Sequence, residues 1–174
     1  MKLEDIHLLV GYNDALADED KERLLKGYQN LYIKLYGFDI IASYFENEHN
    51  SSFKLKDLFK IPKKDEILLI YENKELIGLG RIKKLNKKEI SLYDILILKN
   101  NKDDYQAIWK KAISFMENYF VSKNYRKMYI EIPVSDTYLL FRADDLGFKE
   151  SPNDIDIFNN KNVYVLNKEI IWMK

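Results

Sequence analysis

The chain has 174 residues, 47% of them hydrophobic and 14% aromatic, with three prolines, a composition that fits one well-buried domain and not a disordered or repetitive chain. Lysine plus arginine and aspartate plus glutamate are equal at 28 each, so no net field draws the protein to nucleic acid or to an anionic membrane. The absence of cysteine excludes disulfides, thiolate metal sites and a cysteine nucleophile.

At the N-terminus Glu4 and Asp5 stand where a signal peptide would carry its apolar core. No apolar run approaches the roughly 20 residues of a membrane span, so a soluble, cytoplasmic protein is expected. Residues 6–10 are a short apolar run ended by Gly11 and suit a first strand. Asp14, Asp18, Glu19 and Asp20 follow where a helix N-terminus favours negative charge. Leu24, Leu25, Tyr28, Leu31, Tyr32, Leu35 and Tyr36 then fall on one stripe at helical spacing, and Gly37 is placed to end the helix. The tyrosines of that stripe read as core or as the lining of a cleft. Residues 38–45 extend this helix after a break or form a separate turn, and 46–52 are a polar loop. Phe53, Leu55, Leu58 and Phe59 suggest a short second helix stopped before Pro62. Lys54, Lys56, Lys60, Lys63 and Lys64 make this stretch basic, as a solvated face or as a phosphate or nucleic-acid contact. Residues 67–71 and 76–85 flank the turn Glu72-Asn73-Lys74 as a hairpin, and Gly78 and Gly80 within it mark a bulge or a close approach of backbone or ligand.

The chain is organised around residues 89–133. An apolar, β-branched strand over 89–98 is broken by Asn100, Asn101, Lys102, Asp103 and Asp104. From 104 to 122 the period changes: Ile108, Ala112, Phe115, Met116, Tyr119 and Phe120 line one face of a helix. A second strand follows over 128–132. Strand, helix and strand in this order build a parallel sheet, with a ligand-accepting crevice at the carboxyl end of the first strand beside the helix N-terminus. Asp136 is then placed to cap a short helix carrying Leu139, Leu140, Ala143 and Leu146, with Gly147 at its end. Residues 155–158 and 163–166 flank the turn at 159–162 as a last hairpin.

This order of elements, together with the phrase Glu72-Asn73-Lys74-Glu75-Leu76-Ile77-Gly78 and the helix that closes on Leu146-Gly147-Phe148, resembles the GNAT superfamily of N-acyltransferases. The resemblance implies a GNAT-like single domain over residues 1–174, of mixed α/β (α+β) class, with a mostly antiparallel central sheet and a β-α-β crossover at its centre. It implies an acyltransferase in which the two crossover strands splay apart and pantetheine of acetyl-CoA or another acyl-CoA lies in the gap. The acyl group would pass to a small-molecule amine or peptide acceptor. Ile97, Leu98, Lys99, Asn100, Asn101, Lys102 and Gln106 are the residues expected at the cofactor, because the diphosphate needs backbone amides and cations beside the helix N-terminus. Asp94 and Glu131, one on each crossover strand, and Tyr93 beside Asp94 are the candidates for deprotonating the ammonium. Tyr138 is the candidate acid for the leaving thiolate.

The sequence departs from the family at two places. The phosphate loop usually carries Gln/Arg-x-x-Gly-x-Gly/Ala, whereas 100–109 contains no glycine, and Asp103 and Asp104 bring carboxylates to the place of the diphosphate. The family's tyrosine, four residues before the glycine of Gly-Phe, is here Ala143, with Tyr138 five positions earlier. Two alternatives therefore stand beside the acyl-CoA enzyme. One is a GNAT-like binding module without catalysis, and the other an acyltransferase that takes its donor from an acyl-carrier protein through the basic stretch 54–64. With His7 and His49 the only histidines, no zinc motif occurs, nor does a nucleophile elbow or a Walker loop. No nucleic-acid or membrane partner is expected. The apolar end Ile170-Ile171-Trp172-Met173 packs on a partner chain, making a homodimer, or on its own sheet.

Overall fold

The computed structural model describes residues 1–37, 64–150 and 162–171. The segment after the first helix, the short helix expected over 53–59 with most of its lysines, the first strand of the last hairpin and Trp172 lie outside them. Among the described residues one seven-stranded sheet runs in the order β1-β2-β3-β4-β5-β7-β6. Its strands are β1 (Ile6–Tyr12), β2 (Glu66–Glu72), β3 (Glu75–Lys84), β4 (Glu89–Ile97), β5 (Lys127–Pro133), β6 (Lys149–Glu150) and β7 (Val163–Glu169). The described α-helices are α1 (Asp18–Tyr36), α2 (Lys102–Ser122) and α3 (Tyr138–Asp145). Among the described strands only β4 and β5 pair in parallel, and α2 is the crossover between them. The mixed α/β class, the mostly antiparallel sheet and the central crossover expected from sequence are the ones observed. No described helix is long and apolar enough to cross a membrane.

Strand periodicity explains the two cores. In β2, Ile67 and Leu69 point to one face while Leu68 and Ile70 point to the other, and all four are buried. The first face is covered by α1 through Leu24, Tyr28, Leu31, Tyr32 and Leu35, the stripe read from the sequence. Asp18, Glu19 and Asp20 occupy the first turn of α1, and Gly37 ends it with φ at 87°. The second face is covered by α2, whose Ile108, Trp109, Ala112, Ile113, Met116 and Phe120 pack on Leu68, Ile70, Leu92, Met128 and Ile130. Leu139 and Ala143 of α3 join this second core.

Two local expectations need correction. The crossover helix begins at Lys102 and not at 104, because Asn101 is its cap: the Asn101 side chain accepts from the amides of Asp103 (2.9 Å) and Asp104 (3.1 Å). Asp136 does not cap α3. Thr137 occupies that place without a side-chain bond, and the Asp136 carboxylate instead meets the ammonium of Lys34 at 3.3 Å, a charge-assisted partner that competes better than a backbone amide. Ile170 is buried against its own sheet, while Ile171 is 73% exposed.

Candidate functional site

The site begins with a break in the sheet. β4 and β5 are paired only from Glu89–Lys127 to Leu92–Ile130, yet β4 runs on to Ile97 and β5 to Pro133. Beyond Leu92 the two strands diverge. The turning point is Asp94, which has φ at 47°, and opposite it the β3–β4 register slips between Leu79 and Arg81. This is a β-bulge, which bends the strand and re-aims a side chain. Its effect can be read in the packing. Leu92 and Ile95, three residues apart, both enter the α2-side core, so Asp94 is turned to the α1 face.

A polar cluster holds the bulge there. Asp94 Oδ2 accepts from the Tyr32 hydroxyl at 3.2 Å and lies 3.6 Å from Arg81 Nη1, which is itself 3.4 Å from the Tyr32 oxygen. The Tyr28 hydroxyl donates to the Asp94 carbonyl at 2.9 Å. Burial, reinforced by Asp94 and neighbouring phenols, raises both tyrosines well above their ordinary value, so they act only as neutral donors.

The diverging strands open a cleft of about 620 Å³. One wall is α1, through Gly27, Asn30, Leu31 and Lys34. The floor is the free end of β4, from Ile95 to Lys99, with Asn100, Lys102 and Tyr105 beyond it. The far wall is Ser135, Thr137 and Tyr138. A smaller recess behind it is lined by Asp94, Glu131, Leu31, Leu35, Ile95, Tyr105, Trp109, Pro133 and Leu139. The structure thus brings Asp94 and Glu131 into one recess, and Ile97, Leu98, Lys99, Asn100, Lys102 and Tyr138 into the adjoining cleft. Asn101 and Gln106 line neither: Asn101 is spent on capping α2, and Gln106 Oε1 accepts from Arg142 Nε at 3.1 Å. Tyr93 faces Arg81, whose guanidinium lies 5.4 Å from the ring centroid.

Gly27 and Tyr105 are among the lining residues that escaped the sequence reading. Gly27 sits in the middle of α1, where glycine costs about 1 kcal/mol against alanine. An added Cβ would lie 2.6 Å from Leu98 Cδ2 and 2.9 Å from Leu96 Cδ2, so glycine is what lets α1 lie against the free end of β4. A mid-helix glycine was the available signal. Tyr105 lines both cleft and recess, and nothing in the helical stripe pointed to it. Burial first, then Asp136 and Tyr138, raises its phenol well above 10.0, and burial and Asp136 raise Tyr138 in the same way. Both hydroxyls are therefore protonated at neutral pH.

The anion-binding capacity of the cleft is thin. Leu98 donates its amide to the Ile77 carbonyl (2.7 Å) and Lys99 to that of Ile97 (3.0 Å), while Asn101 takes the Asp103 and Asp104 amides. The Lys99 ammonium is 2.6 Å from Glu72. Lys102 has its ammonium 4.3 Å from the centroid of the Tyr138 ring at the helix N-terminus. Asn100, Asn101 and Lys102 offer the remaining backbone amides.

No protein-family model matches the chain, and comparison with curated sequences finds no relative. Solved structures do match. A probable acetyltransferase from Staphylococcus epidermidis aligns at TM-score 0.62 and 16% identity over 94% of this chain and 98% of that one. An N-acetyltransferase described as putative, from Lactobacillus plantarum, aligns at 0.61 and 9% identity over 95% and 98%. The spermidine N-acetyltransferase of Vibrio cholerae, solved in complex with CoA and spermine, aligns at 0.60 and 17% identity over 94% and 95%. This chain has the fold of the GNAT N-acetyltransferase superfamily.

Proposed function

We propose that the protein is an N-acyltransferase of GNAT type that passes an acyl group from acyl-CoA, acetyl-CoA in the simplest case, to an amine of a small molecule or peptide in the cytoplasm. The observation that carries this reading is the divergence of β4 and β5 beyond Leu92 and Ile130, which opens a cleft between a helix N-terminus and a recess holding two carboxylates. In this reading the pantetheine arm lies along residues 95–98, and the diphosphate meets Lys102 and the amides of Asn100, Asn101 and Lys102. The acceptor approaches from the α1 side, where Glu131 and Asp94 take its proton directly or through water. Tyr138 and Tyr105, held protonated, are the donors within the cleft for the departing thiolate. The V. cholerae neighbour, solved with CoA and spermine, supports the choice of donor and of an amine acceptor.

The chain's lack of cysteine gives a clean assay, since every thiol released from acetyl-CoA is CoA. Incubation with acetyl-CoA and a panel of diamines, aminosugars and amino-terminal peptides should release thiol with at least one acceptor. CoA at 100 times its dissociation constant should stabilise the fold by about 2.7 kcal/mol. No thermal shift at millimolar CoA overturns the proposal.

A second reading, a GNAT-fold binding module without transferase activity, is favoured by one specific set of observations. Asn101 occupies two helix N-terminal amides, Asp103 and Asp104 add charge of the wrong sign, and Ala143 stands at the position of the family's tyrosine. If this reading holds, neither a thermal shift with CoA nor thiol release with any acceptor is expected. A donor carried by an acyl-carrier protein would instead require the basic stretch 54–64, of which Lys64 alone is among the described residues. Reversal of Lys60, Lys63 and Lys64 to glutamate should abolish carrier binding in that case and leave CoA binding unchanged.

A further inference from the structure

Among the described residues three lysines line the cleft, and the structure treats them differently. Lys99 is tightly paired with Glu72 at 2.6 Å, both side chains being under one quarter exposed. Lys102 stands at the N-terminus of α2 over the Tyr138 ring, on the side assigned above to the diphosphate. Lys34 is, among the described residues, the lysine on the acceptor side. It lies in the last turn of α1, one helical turn after Leu31, which lines both the cleft and the recess of Asp94 and Glu131.

From α1 the Lys34 side chain reaches across to the turn after β5, where its Nζ is 3.3 Å from Asp136 Oδ1. The two partners are unequal. The Asp136 side chain is 6% exposed and its backbone is fixed at both ends, the amide donating to the Pro133 carbonyl at 2.8 Å and the carbonyl accepting from Leu139 at 2.9 Å. The Ser135 hydroxyl is a third neighbour at 3.5 Å from the same carboxylate oxygen. The Lys34 side chain is 48% exposed, so it is the movable partner. A fixed, buried carboxylate therefore holds a primary amine at the α1 wall of the cleft.

We infer that Lys34 is a self-acylation site: with an acyl-CoA in the cleft, the chain transfers the acyl group to its own Lys34 Nζ. The inference rests on the acyltransferase reading above. The Lys34 ammonium gives one proton to water through its exposed side, and the neutral amine attacks the thioester carbonyl. The new C–N bond forms, the C–S bond breaks with its electron pair on sulfur, and the second amine proton balances the protonation of the thiolate, supplied in the cleft by Tyr138 or Tyr105. The products are an amide at Lys34, free CoA and one proton released to water. The amide carries no charge, so acylation also dissolves the ionic tie between α1 and the turn after β5.

The test is to incubate the full chain with acetyl-CoA and follow it by intact mass and peptide mapping. The expected result is one acetyl group on Lys34, formed about tenfold or more faster than on Lys99, Lys102 or the exposed Lys26, and suppressed by excess CoA. Lys34→Arg, which keeps a cation opposite Asp136, should lose the label and keep the thermal shift with CoA. Labelling spread over the exposed lysines, or labelling indifferent to CoA, overturns the inference. So does an unmodified Lys34 in a protein that CoA stabilises, an outcome that leaves the acyltransferase reading standing. Absence of both label and CoA stabilisation defeats the two together.

Discussion

Asp94 is held by Arg81 and Tyr32 in a place where its charge has little access to water. Its side chain is 2% exposed and that of Arg81 17%. Removing one partner of such a pair leaves a buried charge uncompensated, which is more costly than never having had the pair. Arg81→Met should therefore lower stability by about 3 kcal/mol, read from urea unfolding, and Asp94→Asn should cost less, because the guanidinium it leaves unpaired is 17% exposed and keeps some water whereas the carboxylate, 2% exposed, does not. Equal losses would show that Arg81 acts by packing alone. The same cluster sets the alkaline limit of the fold. Tyr28 and Tyr32 titrate above their ordinary 10.0 in the folded protein, so above that pH the unfolded chain has released protons that the folded chain retains. Stability is complete below pH 10 and falls as pH rises through the folded values. Tyrosinate absorbance from these two residues should appear together with the loss of circular dichroism, and its appearance in a still-folded protein would contradict the assignment.

Elements were more legible than their junctions. Hydrophobic period alone identified α1 with its end at Gly37, the β2–β3 hairpin, the β4-α2-β5 crossover and α3, because each periodicity is a property of neighbouring residues. Gly78 and Gly80 read as a bulge or a close approach, and both are found there, but the other half of the bulge, the positive φ of Asp94, has no such signal, since an aspartate inside an apolar strand gives no sign of a turned backbone. The two glycines have different duties. A Cβ on Gly78 would lie 2.5 Å from the Leu96 carbonyl oxygen, backbone against backbone, whereas on Gly80 the first obstacle is Leu92 Cδ1 at 3.0 Å, the end of a side chain that can turn. Gly78→Ala should cost roughly 2–3 kcal/mol and Gly80→Ala about 1 kcal/mol or less, by denaturant titration. A reversed order would mean that β3 and β4 approach each other less closely at Gly78 than the fold requires. The misreading of Asp136 belongs to this scale as well. A cap is predicted from local sequence, but Lys34 is 102 residues away and outcompetes the local amide.

At the scale of the molecule, the sequence showed that a crevice should lie at the carboxyl end of β4, and it supplied six of the residues that line the cleft, Ile97, Leu98, Lys99, Asn100, Lys102 and Tyr138. It did not show Gly27, Lys34 or Tyr105, whose contribution depends on how α1 and α2 sit against the opened strands. Nor did it show that Asn101 and Gln106 are turned to other tasks. In the proposed function this cleft accepts CoA at the N-terminus of α2 despite Asp103 and Asp104 in the first helical turn. Those carboxylates stabilise the helix by about 0.3–1 kcal/mol each and repel a diphosphate at the same time, with a range set by ionic strength. The most direct measurement is calorimetric titration of CoA into the wild-type chain and into the Asp103→Asn, Asp104→Asn double variant, at low and at physiological salt. CoA should bind both proteins, more tightly to the double variant, with the larger gain at low salt. An absence of binding heat in both proteins at millimolar CoA, or an affinity that the double substitution leaves unchanged at both salt concentrations, would contradict the claim.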